Sequence, residues 1–146
     1  MIDVHDKPST DREAIARGIV HMSARAIEAL ESGKLPKGDA LTMARIAAIM
    51  AAKRTSDLIP LCHPIAISHM AVEFDVSLER REVSIEVSAR AHAPTGVEME
   101  ALTAVAVAAL TIHDMCKALD PAAEIAQVHL VSKSGGRSGR WKRTEG

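Results

Sequence analysis

Aromatic side chains are nearly absent from this chain: one Phe, one Trp and no Tyr among 146 residues. A chain so poor in flat rings has no platform on which successive bases could stack. Excess positive charge is missing as well, with a formal net charge of −1 and a pI of about 6.7. Both absences argue against a nucleic-acid partner, because binders of nucleic acid are usually basic. Only two cysteines occur, Cys62 and Cys116, too few for a disulfide framework. Free thiols suit a reducing compartment. The opening residues, MIDVHDKPSTDRE, are charged and hold no apolar core segment, so no signal peptide is expected. Adjacent Cys62 and His63 do not have the C-x2-C spacing of a zinc site, so no metal is expected. KSGGRSG lacks the spacing G-x-x-x-x-G-K-[ST], which excludes an NTPase P-loop. The expectation is a soluble, cytoplasmic protein of one domain over residues 1–146, with 1–10 and 134–146 mobile.

What the chain does have is one long apolar stretch, GVEMEALTAVAVAALTIHDMCKALD, from Gly96 to Asp120. Ala101 to Ile112 is apolar except at Thr103 and Thr111. Pro121 ends the pattern, and Ala, Leu, Met, Glu and Lys favour a helix. The two threonines and the charged ends leave it short of the roughly 20 apolar residues that span a bilayer. A helix apolar all round needs cover on all sides. One sheet covers one side only, so a second layer is expected, supplied by another copy of the chain. Glu100 and Asp114 would lie about 21 Å apart along such a helix, on nearly the same face. One small molecule can hardly touch both in one chain. The expectation is two half-sites per helix, completed across a twofold axis.

The other elements follow in order. Asp11 to Met22 alternates, with Ile15 and Ile19 breaking the period, and reads as a strand. Ser23 can cap a helix over Ala24 to Glu31, ended by Gly33. Asp39 can cap a second helix, Ala40 to Lys53. In KRTSDLIPLCHPI, Pro60 and Pro64 forbid regular helix and imply a shaped loop. VEFDVSL and VSIEVSARA alternate on either side of a four-residue turn, Glu79 to Glu82, the strongest hairpin signal. After the long helix, Ile125 to Ser132 reads as a last strand, and KSGGRSGRWKRTEG shows no pattern of its own. The order predicts an α+β two-layer sandwich, ferredoxin-like, with helices on one face of an antiparallel sheet.

Candidate chemistry gathers in three places. Leu61-Cys62-His63 puts a thiol beside an imidazole that can transfer protons near neutral pH. The alternative is a core cysteine and a satisfied loop histidine, and spacing alone leans that way. Asp114 and Lys117 stand i, i+3 on the helix and can pair. They read either as a surface salt bridge or as a proton-trading pair at the edge of a buried surface. Glu98 and Glu100 suit the helix dipole, yet two acids around Met99 also suit the N–H edge of a purine. Lys37, Lys53, Arg54, Lys133 and Arg137 could together hold a polyphosphate.

At this point the residues match a known family. KGDALTMARIAAIMAAKRTSDLIPLCHPI, GVEMEALTAVAVAALTIHDMCKALD and VSKSGGRSG resemble cyclic pyranopterin monophosphate synthase, the molybdenum cofactor biosynthesis protein C family. The resemblance covers nearly the whole chain. It implies a ferredoxin-like, cytoplasmic enzyme that assembles as a dimer-built hexamer. The implied reaction converts 3′,8-cyclo-7,8-dihydroguanosine 5′-triphosphate, a small nucleotide, into cyclic pyranopterin monophosphate and diphosphate. No cofactor is implied. Position by position, the resemblance makes Asp114 the catalytic aspartate, with Lys37 and Lys117 beside it in the reaction. It makes Leu61, Cys62, His63, Met99 and Glu100 substrate-binding, with Glu98 next to them and Lys53 and Lys133 as pocket lysines. His113 departs from the family, where Tyr is common. Two other readings remain: a ferredoxin-like module that binds a nucleotide without turnover, and a structural oligomer. Diphosphate release separates the first from the enzyme, and nucleotide affinity separates the second.

Overall fold

A computed structural model describes residues 1–144. Strand β1 (Thr10–His21) is followed by helices α1 (Ala24–Glu31), α2 (Ala40–Lys53) and the one-turn α3 (Thr55–Leu58). Strands β2 (Ile67–Ser77) and β3 (Glu82–Ala93) form the hairpin. Helix α4 (Glu98–Cys116) and strands β4 (Glu124–Ser134) and β5 (Trp141–Lys142) complete the described chain. The sheet order is β2-β3-β1-β4-β5, and every neighbouring pair is antiparallel. With the helices layered on one face, this is the expected α+β two-layer, ferredoxin-like arrangement.

Each face of the sheet follows from the alternation. Ala14, Ala16 and Val20 of β1 are buried under the helices, as are Val83, Ile85 and Val87 of β3. The opposite face carries cross-strand ion pairs, Arg17 with Glu86 and Glu13 with Arg90. Ile15 and Ile19, which break the polar pattern, are half-buried on that second face. Gly18 has the buried parity, and a Cβ there would lie 2.7 Å from Val105 Cγ1 of α4. The missing side chain lets α4 approach β1 closely.

Alanine sets the helix layer. Ala40, Ala44, Ala48 and Ala52 of α2 recur every fourth residue and are buried. Ala101, Ala104 and Ala108 of α4 are fully buried too. Rows of small residues at this spacing let two helices pack as interlocked ridges. Ser23 and Asp39 cap α1 and α2 through bonds from the backbone N–H groups of Ala26 and Thr42.

Three expectations need correction. Pro60 does not forbid helix before it: Thr55–Leu58 forms one turn, closed by the Ile59 N–H on the Thr55 carbonyl at 2.9 Å. Proline restricts only the residue before it and those whose carbonyls its ring would meet. The basic tail is not patternless, because Trp141 and Lys142 pair with Lys133 and Ser132 as strand β5. Helix α4 does reach the length and hydropathy of a membrane span, although 56% of the span window is buried inside the fold. It is a core helix. Its cover is nonetheless incomplete: Leu110 is 58% exposed.

Candidate functional site

Most of the candidate residues form two clusters at opposite ends of α4. The first surrounds its start. No side chain caps this end, and the first turn carries Glu98 and Glu100. β4 brings Lys133 across, and its Nζ donates to Glu98 Oε1 at 2.8 Å. Glu100 is 3% exposed, and burial, with the nearby charge of Glu98, raises its carboxyl above the usual range. The two-proline loop folds beside these acids, with the Cys62 N–H donating to the Ile59 carbonyl at 3.1 Å. Burial first, then the charges of Glu100 and Glu98, push the Cys62 thiol up, so it is a poor nucleophile.

A cavity of about 600 Å³ lies between the loop and the helix. Leu61, Cys62, His63, Glu98, Met99 and Glu100 all line it. Its remaining lining was not expected. Ile65 and Gly96 end and begin the two long segments that carry the resemblance, and Thr95 adjoins the second, so their position could have been read from that adjacency. Met1, Ile2, Val4 and Lys7 also line it. The polar opening sequence gives no sign of this. Lys53, in the last turn of α2, is exposed and lies outside the lining, as does Arg137. Two larger clefts, of about 710 and 930 Å³, open on the far face of the sheet among its ion pairs. Of the candidate residues only Lys133 borders either.

The second cluster sits at the end of α4. Lys117 Nζ lies 2.7 Å from Asp114 Oδ1, and Lys37 Nζ lies 2.6 Å from Asp114 Oδ2. Lys37 comes from the loop that α2 follows, where Gly38 takes a φ of +100° that other residues resist. Hydrogen bonds from Lys117 and then from Lys37 lower the Asp114 carboxyl to about 2. Asp114 is 49% exposed, so it is not the burial-shifted acid that the edge-of-surface reading expected. It is a carboxylate at neutral pH, held between two ammonium groups.

The two clusters do not meet within one chain. α4 is continuous from Glu98 to Cys116, and the rise of a helix puts Asp114 about 21 Å from Glu100.

With this geometry in place, comparison with known proteins decides the family. The model of the MoaC family matches residues 1–136. The chain belongs to the MoaC family. Its MoaC relatives include a cyclic pyranopterin monophosphate synthase of Chloroflexus aurantiacus, 54% identical over 98% of this chain and 88% of that protein. A synthase of the same name from Roseiflexus castenholzii is 56% identical over 95% of this chain and 88% of its own length. One from Clostridium perfringens is 50% identical over 97% and 89%. Both clusters lie within the stretch that the MoaC model covers.

Proposed function

We propose that this chain is a cyclic pyranopterin monophosphate synthase, a phosphorus–oxygen lyase of molybdenum cofactor biosynthesis. It converts (8S)-3′,8-cyclo-7,8-dihydroguanosine 5′-triphosphate into cyclic pyranopterin monophosphate and diphosphate. The observation that carries this is identity of 50–56% to enzymes of that name over nearly the whole chain.

The residues take the roles that the family resemblance implies for them. The guanine-derived ring enters the cavity, with its N–H edge toward Glu98 and Glu100 and its face on Met99. Leu61, Cys62 and His63 form the opposite wall. Lys53 attracts the phosphates, and Lys133, paired with Glu98, borders the ring. Asp114, already ionised, accepts a proton from the substrate, while Lys117 or Lys37 returns one as the five-membered ring opens and the pyranopterin closes. A ribose oxygen then attacks the inner phosphorus. The new oxygen–phosphorus bond forms as the bond to the bridging oxygen breaks, and diphosphate leaves. Fixed positive charge stabilises that departure.

One complete site takes Asp114, Lys37 and Lys117 from one chain and the cavity from another. The exposed apolar side chains of the helix layer, Met43, Ile46, Met50 and Leu110, support burial against a second copy. The assembly we infer is a dimer, repeated into a hexamer. Free Cys62 and Cys116 favour a cytoplasmic setting.

The test is diphosphate release from the cyclic nucleotide. Asp114→Asn should keep the fold and lose roughly two to four orders of magnitude in kcat. Normal turnover in that variant removes Asp114 from the mechanism. Absence of diphosphate release by the unmodified chain removes the function.

A further inference from the structure

The pairing of Thr10 with Ala93 fixes where the residues ahead of β1 must lie. β3 ends at Ala93, and the chain then runs through Thr95 and Gly96 into α4. Antiparallel pairing therefore delivers the segment before Thr10 to the start of α4, at the mouth of the acidic cavity. Two local bonds shape that segment. The His5 N–H donates to Asp3 Oδ1 at 2.9 Å, and the Lys7 N–H donates to the Val4 carbonyl at 3.1 Å.

The cavity is lined mostly by apolar side chains, and its two carboxyls lie inside, that of Glu98 paired with Lys133. Glu100 is nearly buried, and Glu98 is 25% exposed. Lys7 is exposed, and it is the one lysine or arginine among the described residues that line the cavity. Acid inside and ammonium outside fit a ligand with N–H donors at one end and negative charge at the other. Met1 and Ile2, 67% and 75% exposed, border the same opening and can cover a ring.

We propose that Met1–Lys7 is the outer wall of the substrate site, and that Lys7 holds the phosphate end of the nucleotide whose ring Met1 and Ile2 cover. This rests on the substrate class proposed above. It adds a binding residue and an orientation: ring inward, phosphates toward the opening.

The test is equilibrium binding of 3′,8-cyclo-7,8-dihydroguanosine 5′-triphosphate and of the same nucleoside without phosphates. The full-length chain is compared with Lys7→Met and Lys7→Arg. Lys7→Met should weaken the triphosphate roughly ten- to hundred-fold, the range for a hydrogen bond to a charged group. The phosphate-free nucleoside should bind all three proteins alike. Lys7→Arg should keep triphosphate affinity within about threefold. Unchanged triphosphate affinity in Lys7→Met, or equal loss for both ligands, overturns the proposal. Diphosphate release is scored separately. A wild-type chain that binds without turnover counts against the catalytic reading alone, and the binding comparison still decides Lys7.

Discussion

Asp114 and Glu100 stand fourteen residues apart on one unbroken helix, about 21 Å at the rise of an α-helix. A nucleotide whose ring lies against Glu100 and His63 cannot reach Asp114 of the same chain. Mixing two disabled chains tests this. Asp114→Asn removes the carboxylate, and His63→Ala removes an imidazole from the cavity wall. Each variant alone should be nearly inactive. In a one-to-one mixture with free subunit exchange, about half of all dimers pair the two variants. Each mixed dimer then has one site with both defects and one with neither. About a quarter of wild-type diphosphate release should return. Co-expression with two different tags isolates the mixed dimer, in which about half of wild-type activity is expected. If both clusters served one site within a chain, every site in the mixture would carry a defect and no activity would return. That result refutes the two-chain site.

Two further predictions concern single residues. The Asp114 carboxyl lies at about 2, against an ordinary value of 3.8, and the bond from Lys117 is the larger cause. Because pairing depresses the folded-state value, its stabilisation is present above about pH 4 and fades as pH falls toward 2. Carbon NMR should find this carboxyl titrating near 2, rising toward 3.8 in Lys117→Met and by less in Lys37→Met; an unmoved titration in Lys117→Met contradicts the pairing. Gly18→Ala forces a methyl to within 2.7 Å of Val105 Cγ1, and the β-branched side chain has little freedom to turn away. Denaturant unfolding should show a loss of about 1–3 kcal/mol, largely relieved when Val105→Ala is added; a neutral Gly18→Ala would mean that α4 does not approach β1 so closely.

Much of this fold is legible in local pattern. Ser23 and Asp39 cap the helices they precede. The two alternating runs form the hairpin, but its four-residue turn is Leu78 to Arg81, between the paired Ser77 and Glu82, one position ahead of the expected Glu79 to Glu82. What escaped local pattern was small or dependent on neighbours. Trp141 and Lys142 form a strand only because the β4 edge is there to pair with. Thr55–Leu58 is a single turn, and its Thr55 hydroxyl is satisfied by the carbonyls of Ala51 and Ala52 in the helix before it. At the site, the thiol–imidazole loop and the acids around Met99 were visible as residue types. The lining by Met1, Ile2, Val4 and Lys7 was not, since nothing in a polar opening segment says which surface it lies on.

The sequence by itself determined the longer elements, the faces they bury and the family, because periodicity, caps and turn residues act within a few positions of themselves. Only the tertiary structure decided which charges meet. Lys37 reaches Asp114 across 77 positions of chain, and Lys133 reaches Glu98 across 35. Such pairs are set by sheet order and by how closely the alanine-rich helices pack. The separation of the two ends of α4 has another origin: it is the length of one unbroken helix, about 21 Å from Glu100 to Asp114, and no side chain of one copy can close it.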